Sequence, residues 1–252
     1  MIDTRIDAFL GGRLRIEQPV AGYRAGADAV MLAAACPAAP GARVLELGCG
    51  AGVASLCLAA RVPGIDLTGV ERDSDYAAMA RANAARNQMD MDVWQADLAQ
   101  MPTELRAQQF DQVIMNPPFF ASGTRSADSA RAGPRHEATP LAEWIDAGLR
   151  RLRPNGQITI IHLAERLAAI LGAIGDRAGA VAILPIAART GRDAGRVIVQ
   201  ARKGARAPLR VLSPFIMHSG ASHSRDAENL TEKAQAILRH GAALGLKPGE
   251  DG

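Results

Sequence analysis

Short runs of apolar and β-branched residues alternate along the chain with longer segments of helical period, the pattern of a mostly parallel sheet whose strands are joined by helices. Strands are predicted at Arg43–Leu47, Asp66–Glu71, Met91–Gln95, Phe110–Met115, Gln157–His162, Ala180–Pro185 and Arg196–Ala201. Several are almost continuously apolar, as strands covered on both faces must be. Leu141, Trp144, Ile145, Gly148, Leu149 and Leu152 recur at i, i+3, i+4 and i+7 spacing, which gives one apolar helical stripe. Pro154-Asn155-Gly156 ends that helix and turns into the next strand. Ser74 stands where it can cap a helix running through Arg86, and a further helix starts near Val53. A closing helix is expected near Glu232–Leu244. Residues 1–40 read as an arm, 41–203 as the core and 204–252 as a C-terminal extension. Neither appendage is large enough for a core of its own, so a single domain over 1–252 is expected.

At 252 residues the chain is long enough to bury a full core. Its most apolar stretch, Ala25 to Pro40, is interrupted by Asp28, Cys36 and Pro37, which excludes a membrane span there. The first residues lack the charged-then-apolar order of a secretory signal. Cys36, Cys49 and Cys57 fit no zinc or redox spacing and read as small buried residues of a cytoplasmic protein, with no metal expected. The net charge is only +3, but it is unevenly spread. Arg189, Arg192, Arg196, Arg202, Lys203, Arg206 and Arg210 face Asp193 alone in one stretch, and Arg125, Arg131, Arg135 and His136 face only Asp128 in another. Runs of charge are more often solvated faces, yet two such stretches flanking a catalytic motif point toward a polyanionic partner.

The first motif is Val44-Leu45-Glu46-Leu47-Gly48-Cys49-Gly50-Ala51-Gly52. A buried strand runs into glycines at alternate positions, which permit a tight turn and let a ligand approach the backbone. The next strand ends at Glu71, where a carboxylate can accept hydrogen bonds from ribose hydroxyls. Dinucleotide enzymes use a related turn, but their third glycine falls one place later, where Val53 stands here. Glu46 beside the turn would repel a pyrophosphate and suits a ligand carrying an ammonium and a sulfonium. Strand, turn, helix and second acidic strand end, roughly residues 43–72, resemble the class I S-adenosylmethionine-dependent methyltransferases. The resemblance implies a Rossmann-like seven-stranded sheet with helices on both faces, and S-adenosyl-L-methionine as cofactor. It also implies that Glu46, Gly48, Cys49 and Gly50 lie at the methionine end, Glu71 at the ribose, and Asp97-Leu98 at the adenine. Arg72 either covers the adenine face or forms a surface ion pair.

The second motif, Asn116-Pro117-Pro118-Phe119, follows directly on the fourth strand and so falls at a carboxyl end of the sheet. A base or amide amine is a poor nucleophile because its lone pair is delocalised. The Asn116 side-chain carbonyl and the Pro117 backbone carbonyl can bind both amino hydrogens and favour a pyramidal nitrogen. Proline lacks an N–H and has fixed φ, so the loop is stiff and presents carbonyls. Phe119 can stack on a flat target, worth roughly 1–3 kcal/mol per base. The tetrapeptide resembles the signature of enzymes that methylate amino groups on adenine, guanine or protein glutamine, with phenylalanine in place of the commoner tyrosine.

Further residues narrow the resemblance. Phe120, Gly123, Asp128, Ala130-Arg131 and Arg135-His136-Glu137 follow the tetrapeptide, and the arm carries Gln18-Pro19 and Gly22-Tyr23-Arg24-Ala25-Gly26-Ala27-Asp28. With them, roughly residues 5–245 resemble the bacterial tRNA (adenine-N6) methyltransferase family, which modifies the purine just 3′ of the anticodon in a valine tRNA. The resemblance implies that Gly26 and Asp28 touch the methionine end of the cofactor; capping of a helix by Asp28 is the other reading. A tRNA anticodon loop presents unstacked bases that can be splayed into a pocket. Arg125, Arg131, Arg135 and the cationic stretch to Arg210 would hold its phosphates, while His136, His162, His218 and His223 read as surface or packing residues. A guanine-N2 enzyme of rRNA, a protein-glutamine enzyme, an NAD-dependent oxidoreductase and a non-catalytic RNA-binding protein are the competing readings.

Overall fold

The computed structural model describes residues 3–119, 139–220 and 229–246. Its central sheet is built from β3 (Arg43–Leu47), β4 (Asp66–Glu71), β5 (Asp92–Gln95), β6 (Phe110–Met115), β7 (Leu152–Leu163), β8 (Ala178–Ala187) and β9 (Ala194–Lys203). The spatial order is β8-β9-β7-β6-β3-β4-β5, with β9 the antiparallel member. These are the seven expected strands, except that β7 starts at Leu152 and takes in Pro154-Asn155-Gly156, and β8 and β9 run two residues further at each end than predicted. Two strands of two residues each, β10 (Arg210–Val211) and β11 (Phe215–Ile216), pair with β8 and bring the sheet to nine. They arise because the segment after Lys203 returns along the outer edge of β8 and supplies partners for its backbone groups.

β3, β4 and β6 keep the predicted bounds. They are parallel and covered on both faces, so their apolar runs coincide with their pairing. Helices α1 (Ala27–Ala35), α2 (Val53–Arg61), α3 (Ser74–Arg86), α4 (Thr103–Arg106), α5 (Leu141–Arg151), α6 (Leu167–Ile174) and α7 (Glu232–His240) complete the layers. Helix α3 has the predicted span, but its cap is Asp73, whose carboxylate accepts from the Asp75 and Tyr76 N–H groups, and Ser74 is its first helical residue. Helix α7 stops at Gly241, which turns left-handed with φ +69°, before the expected Leu244.

The arm folds into an antiparallel hairpin, β1 (Thr4–Phe9) with β2 (Leu14–Pro19), followed by α1. Every residue from Ala29 to Ala35 is buried, and α1 packs on α2, α7 and the sheet. Asn83, fully buried on α3, ties the hairpin down: Oδ1 accepts from the Glu17 N–H at 2.7 Å and Nδ2 donates to the Glu17 carbonyl at 2.9 Å. Asp28, the second residue of α1, makes no cap; the N-cap position is Gly26, and Asp28 instead accepts from Arg196 Nε at 3.0 Å. The three thiols are buried and unpaired. No helix of the described residues is long and apolar enough to cross a membrane.

Candidate active site at the carboxyl ends of β3 and β6

From β3 the chain proceeds to β4 and β5 on one side and to β6 and β7 on the other. The crevice where the order reverses therefore opens at the ends of β3 and β6, the usual ligand site of open α/β sheets. Leu47 pairs with Met115 across these strands, so the next residues, Gly48 and Asn116, emerge side by side. The two motifs meet because their strands are neighbours in register.

The glycine turn has left-handed backbone at Gly48, Gly50 and Gly52, with φ of +66°, +52° and +85°. Its amides are largely committed within the protein. Cys49 N–H donates to the Val70 carbonyl, Gly50 N–H to Glu71 Oε2 and Gly52 N–H to the Cys49 carbonyl. Glu71 accepts a second bond from the Asp73 N–H at 2.9 Å; each carboxylate oxygen keeps a lone pair for a further donor. The Cys49 side chain turns into a small cluster with Ala77, Ala80 and Val93, so only its backbone borders the crevice. Trp144 of α5 packs beneath Gly48 so closely that an added Cβ would lie 2.4 Å from its Cη2. Asp97 caps the short turn Leu98–Gln100 through the Ala99 N–H, and Leu98 is half-buried beside it. Arg72 is exposed, and its surface ion pair is absent among the described residues.

Glu46 is 4% exposed and accepts from the backbone N–H and the hydroxyl of Ser55 at 2.9 and 2.5 Å, both on Oε2. It thereby satisfies one amide of the first turn of α2. Burial pushes its carboxyl up to about 8, against the pull of the Ser55 bonds and with a further push from Glu71. Among the described residues no cation pairs with it.

Asn116 donates from Nδ2 to the Tyr23 hydroxyl at 3.3 Å. Its Oδ1 is buried without a hydrogen-bond partner, an expensive condition unless a ligand supplies a donor. Pro117 is buried, Pro118 exposed and Phe119 half-buried. The Arg196 guanidinium lies over one face of the Phe119 ring, 4.7 Å from its centroid, and His162 meets the ring edge-on at 5.3 Å. His162 is 2% exposed; its Nδ1 accepts from the Leu163 N–H at 2.8 Å and its ring also bonds the Pro118 backbone. Burial, with Arg166 and Arg196 nearby, holds its pKa down at about 4, so it is a neutral packing residue, as expected.

The cationic stretch divides differently from the expectation. Arg189 is 6% exposed and spent on the Ser219 and Gly220 carbonyls. Arg210 donates to the Leu246 carbonyl, and Lys203 to that of Leu152. Arg196 is held by Asp28. Because β9 is antiparallel to β7, Arg202 falls at the opposite end of the sheet. There it lines a cavity of about 790 Å³ with Arg61, Asp111, Arg153 and Gln200, remote from every residue of the crevice. Of this stretch, Arg192 in the loop after β8 remains exposed at the crevice end. Arg125, Arg131, Arg135 and His136 lie outside the described residues. The sequence reading missed Tyr23, Arg166, Arg196 and Trp144 as site neighbours; each is brought there by pairing between segments far apart in the chain.

A parallel sheet with one reversed strand, a glycine turn flanked by the buried Glu46 and the half-buried Glu71, and an Asn-Pro-Pro-Phe loop define a class I methyltransferase. The family model for the methyltransferase small domain matches residues 26–169, more than half of the chain, and the chain belongs to that family. It is 34% identical over 170 residues to the tRNA1(Val) (adenine(37)-N6)-methyltransferase of Porphyromonas gingivalis, spanning 64% of this chain and 67% of that one. With the Aeromonas hydrophila protein of the same name it shares 29% over 206 residues, 79% and 85% of the two chains. A solved structure, the predicted O-methyltransferase Atu636 of Agrobacterium tumefaciens, is 30% identical with a TM-score of 0.70, covering 86% of this chain and 98% of that one.

Class membership implies S-adenosylmethionine as methyl donor, and the residues present fit it. The buried Glu46 has no cationic partner among the described residues and stands at the foot of the glycine turn, where a ligand bearing an ammonium and a sulfonium would favour its ionised form.

Proposed function

We propose that the protein transfers a methyl group from S-adenosylmethionine to the exocyclic N6 amine of an adenine in a tRNA anticodon loop, in the cytoplasm. The observation that carries this reading is the unpaired, buried Oδ1 of Asn116, an acceptor without a donor at the end of β6. The names of the Porphyromonas and Aeromonas relatives support adenine 37 of a valine tRNA.

When bound, S-adenosylmethionine supplies a methyl carbon made electrophilic by its sulfonium. In this assignment Glu46 balances the donor's cationic end, with Gly26, Asp28, Gly48, Cys49 and Gly50 around it. Glu71 accepts from ribose hydroxyls, and Arg72, Asp97 and Leu98 border the adenine. Asn116 Oδ1 and the Pro117 carbonyl each accept one hydrogen of the target amine, which aims its lone pair at the crevice. Pro117 and Pro118 keep those carbonyls fixed. Since Arg196 covers one face of Phe119, the target base stacks on the other. Catalysis by this chain is alignment and dipole placement, which can supply most of the barrier reduction in a displacement of this kind. Arg125, Arg131 and Arg135 are assigned to the tRNA backbone.

The oxygen acceptor in the Agrobacterium protein's name is a second reading, but the crevice favours nitrogen. A hydroxyl has one hydrogen for two carbonyls and needs a base, whereas His162, the imidazole beside Phe119 among the described residues, is buried and turned to backbone partners. The test is incubation with labelled methyl donor and tRNA followed by nucleoside analysis. N6-methyladenosine is expected from the native protein and none from Asn116→Ala, whose donor affinity stays near native. Label in guanine, in ribose or in protein would overturn the assignment.

A further inference from the structure

We infer that Tyr23 is a positioning residue for the transfer, holding the Asn116 amide so that its oxygen rather than its nitrogen meets the target amine; this rests on the reading of Asn116 given above. An asparagine amide has two nearly isosteric orientations. In one, Oδ1 faces the amine and accepts its hydrogen; in the other, two N–H groups oppose two N–H groups and the acceptor is lost. Something must choose between them. The Tyr23 hydroxyl takes the hydrogen bond from Nδ2 at 3.3 Å, which leaves Oδ1 buried and open.

The hydroxyl is itself placed by a network dedicated to the arm. The Tyr76 hydroxyl donates to the Tyr23 carbonyl at 2.8 Å. Gln18, 2% exposed, clamps Ala25 through both ends of its amide, accepting from the N–H at 2.8 Å and donating to the carbonyl at 3.2 Å. Asp7 gathers Gln18 and Arg24 at 2.9 and 2.7 Å. Tyr23 as a residue is 54% exposed, so packing alone does not explain this network. Desolvation of the phenol, with Glu46 and Asp28 adding to it, raises its pKa to about 12, so it stays protonated. Protonated, the hydroxyl keeps the lone pairs with which it accepts from Nδ2. The hydrophobic pattern of the arm shows none of this, because the partners lie 93 residues apart.

The test is a double-mutant cycle on the full chain with tRNA as substrate. Tyr23→Phe should lower kcat about tenfold, the value of one hydrogen bond made in the transition state, with KM and donor affinity changed less than about twofold. In an Asn116→Asp background, where two equivalent oxygens remove the need for a chooser, the same substitution should cost nothing further. Tyr76→Phe, which only loosens the tether, should give a smaller loss of the same kind. An equal fold loss in both backgrounds, or an effect confined to KM or donor affinity, would overturn the proposal. Turnover by Asn116→Ala would instead sink the reading of the site itself. A dead Asn116→Ala beside a fully active Tyr23→Phe would reject this inference alone.

Discussion

Arg196 spans the face of Phe119, with its guanidinium carbon 4.7 Å from the ring centroid, while its Nε is held by Asp28 at 3.0 Å. An arm residue thus fixes a cation against the last residue of the catalytic loop. The ion pair is about a third exposed on both sides, so its direct value for stability is under about 1 kcal/mol. The cation–π contact with a half-buried ring is worth about 1–2 kcal/mol. Arg196→Ala should therefore lower the melting temperature little but reduce kcat/KM roughly tenfold, with Arg196→Lys intermediate because it keeps charge and loses the flat stack. Steady-state kinetics beside a thermal melt separates the two; a large melting shift with unchanged kinetics would contradict the positioning role.

Glu46 predicts an inverted acid dependence. Its carboxyl sits at about 8 in the folded protein against 4.5 as the ordinary value. Between those pH values the folded state keeps a proton that the unfolded chain releases, so stability falls as pH rises through the window and levels off above it. Glu46→Gln should flatten that slope and melt higher than the native protein at pH 8 without donor. The same change should weaken donor binding at least tenfold, since glutamine cannot release a proton to become the anion that a cationic donor pairs with. Parallel melting curves across pH 5 to 9 would refute the assignment.

Much of the fold was legible because parallel strands covered on both faces must be apolar throughout, and β3, β4 and β6 read accordingly. Helix α1 was not. Ala29 to Ala35 are buried all round, and a helix without a polar face has no stripe to detect. The site was legible as two motifs, which the Leu47–Met115 pairing brings together. Its supports were not: Arg196 read as one more cation in a charged run, and its pairing with Asp28 spans 168 positions. Local spacing carries no record of such a contact.

Gly48 is predicted to be irreplaceable for two separable reasons. Its φ is +66°, and an added Cβ would lie 2.4 Å from Trp144 Cη2. Gly48→Ala should cost about 2–4 kcal/mol from left-handed backbone and overpacking together. Adding Trp144→Leu should return the packing share only. Trp144→Phe alone should fall within about 1 kcal/mol of native, because the buried Nε1 has no acceptor to lose and removing an unpaired donor offsets the lost area. Urea titrations of the single and double variants measure each share; a full rescue by Trp144→Leu would mean that the backbone conformation costs nothing.

Glu71 serves two partners inside the protein, the Gly50 and Asp73 amides, besides its proposed ribose contact. Glu71→Ala should therefore both loosen the turn and weaken donor affinity, by about 1–3 kcal/mol for the freed amides and tenfold or more in Kd. Isothermal titration of donor into the variant checks the second effect; unchanged affinity would remove the ribose assignment.

Sheet topology makes a sharper statement about RNA than charge counting does. Arg192 follows the end of β8 and Arg166 the end of β7, both on the crevice side. Arg202, the last residue but one of β9, and Arg206 just beyond that strand lie at the other end, because β9 runs the other way. A tRNA whose base enters the crevice passes the first pair and not the second. Removing one cation from a phosphate should reduce the dependence of log K on log salt by somewhat less than one, and charge reversal should weaken binding further. Arg192→Glu and Arg166→Glu are thus expected to raise KM for tRNA and flatten its salt dependence. Arg202→Glu with Arg206→Glu, equal in net charge change, should leave both near native. Filter-binding or anisotropy titrations from low to moderate salt decide between the ends. Equal losses from both pairs would mean that the polyanion wraps the whole sheet, and the anticodon-loop geometry would have to be abandoned.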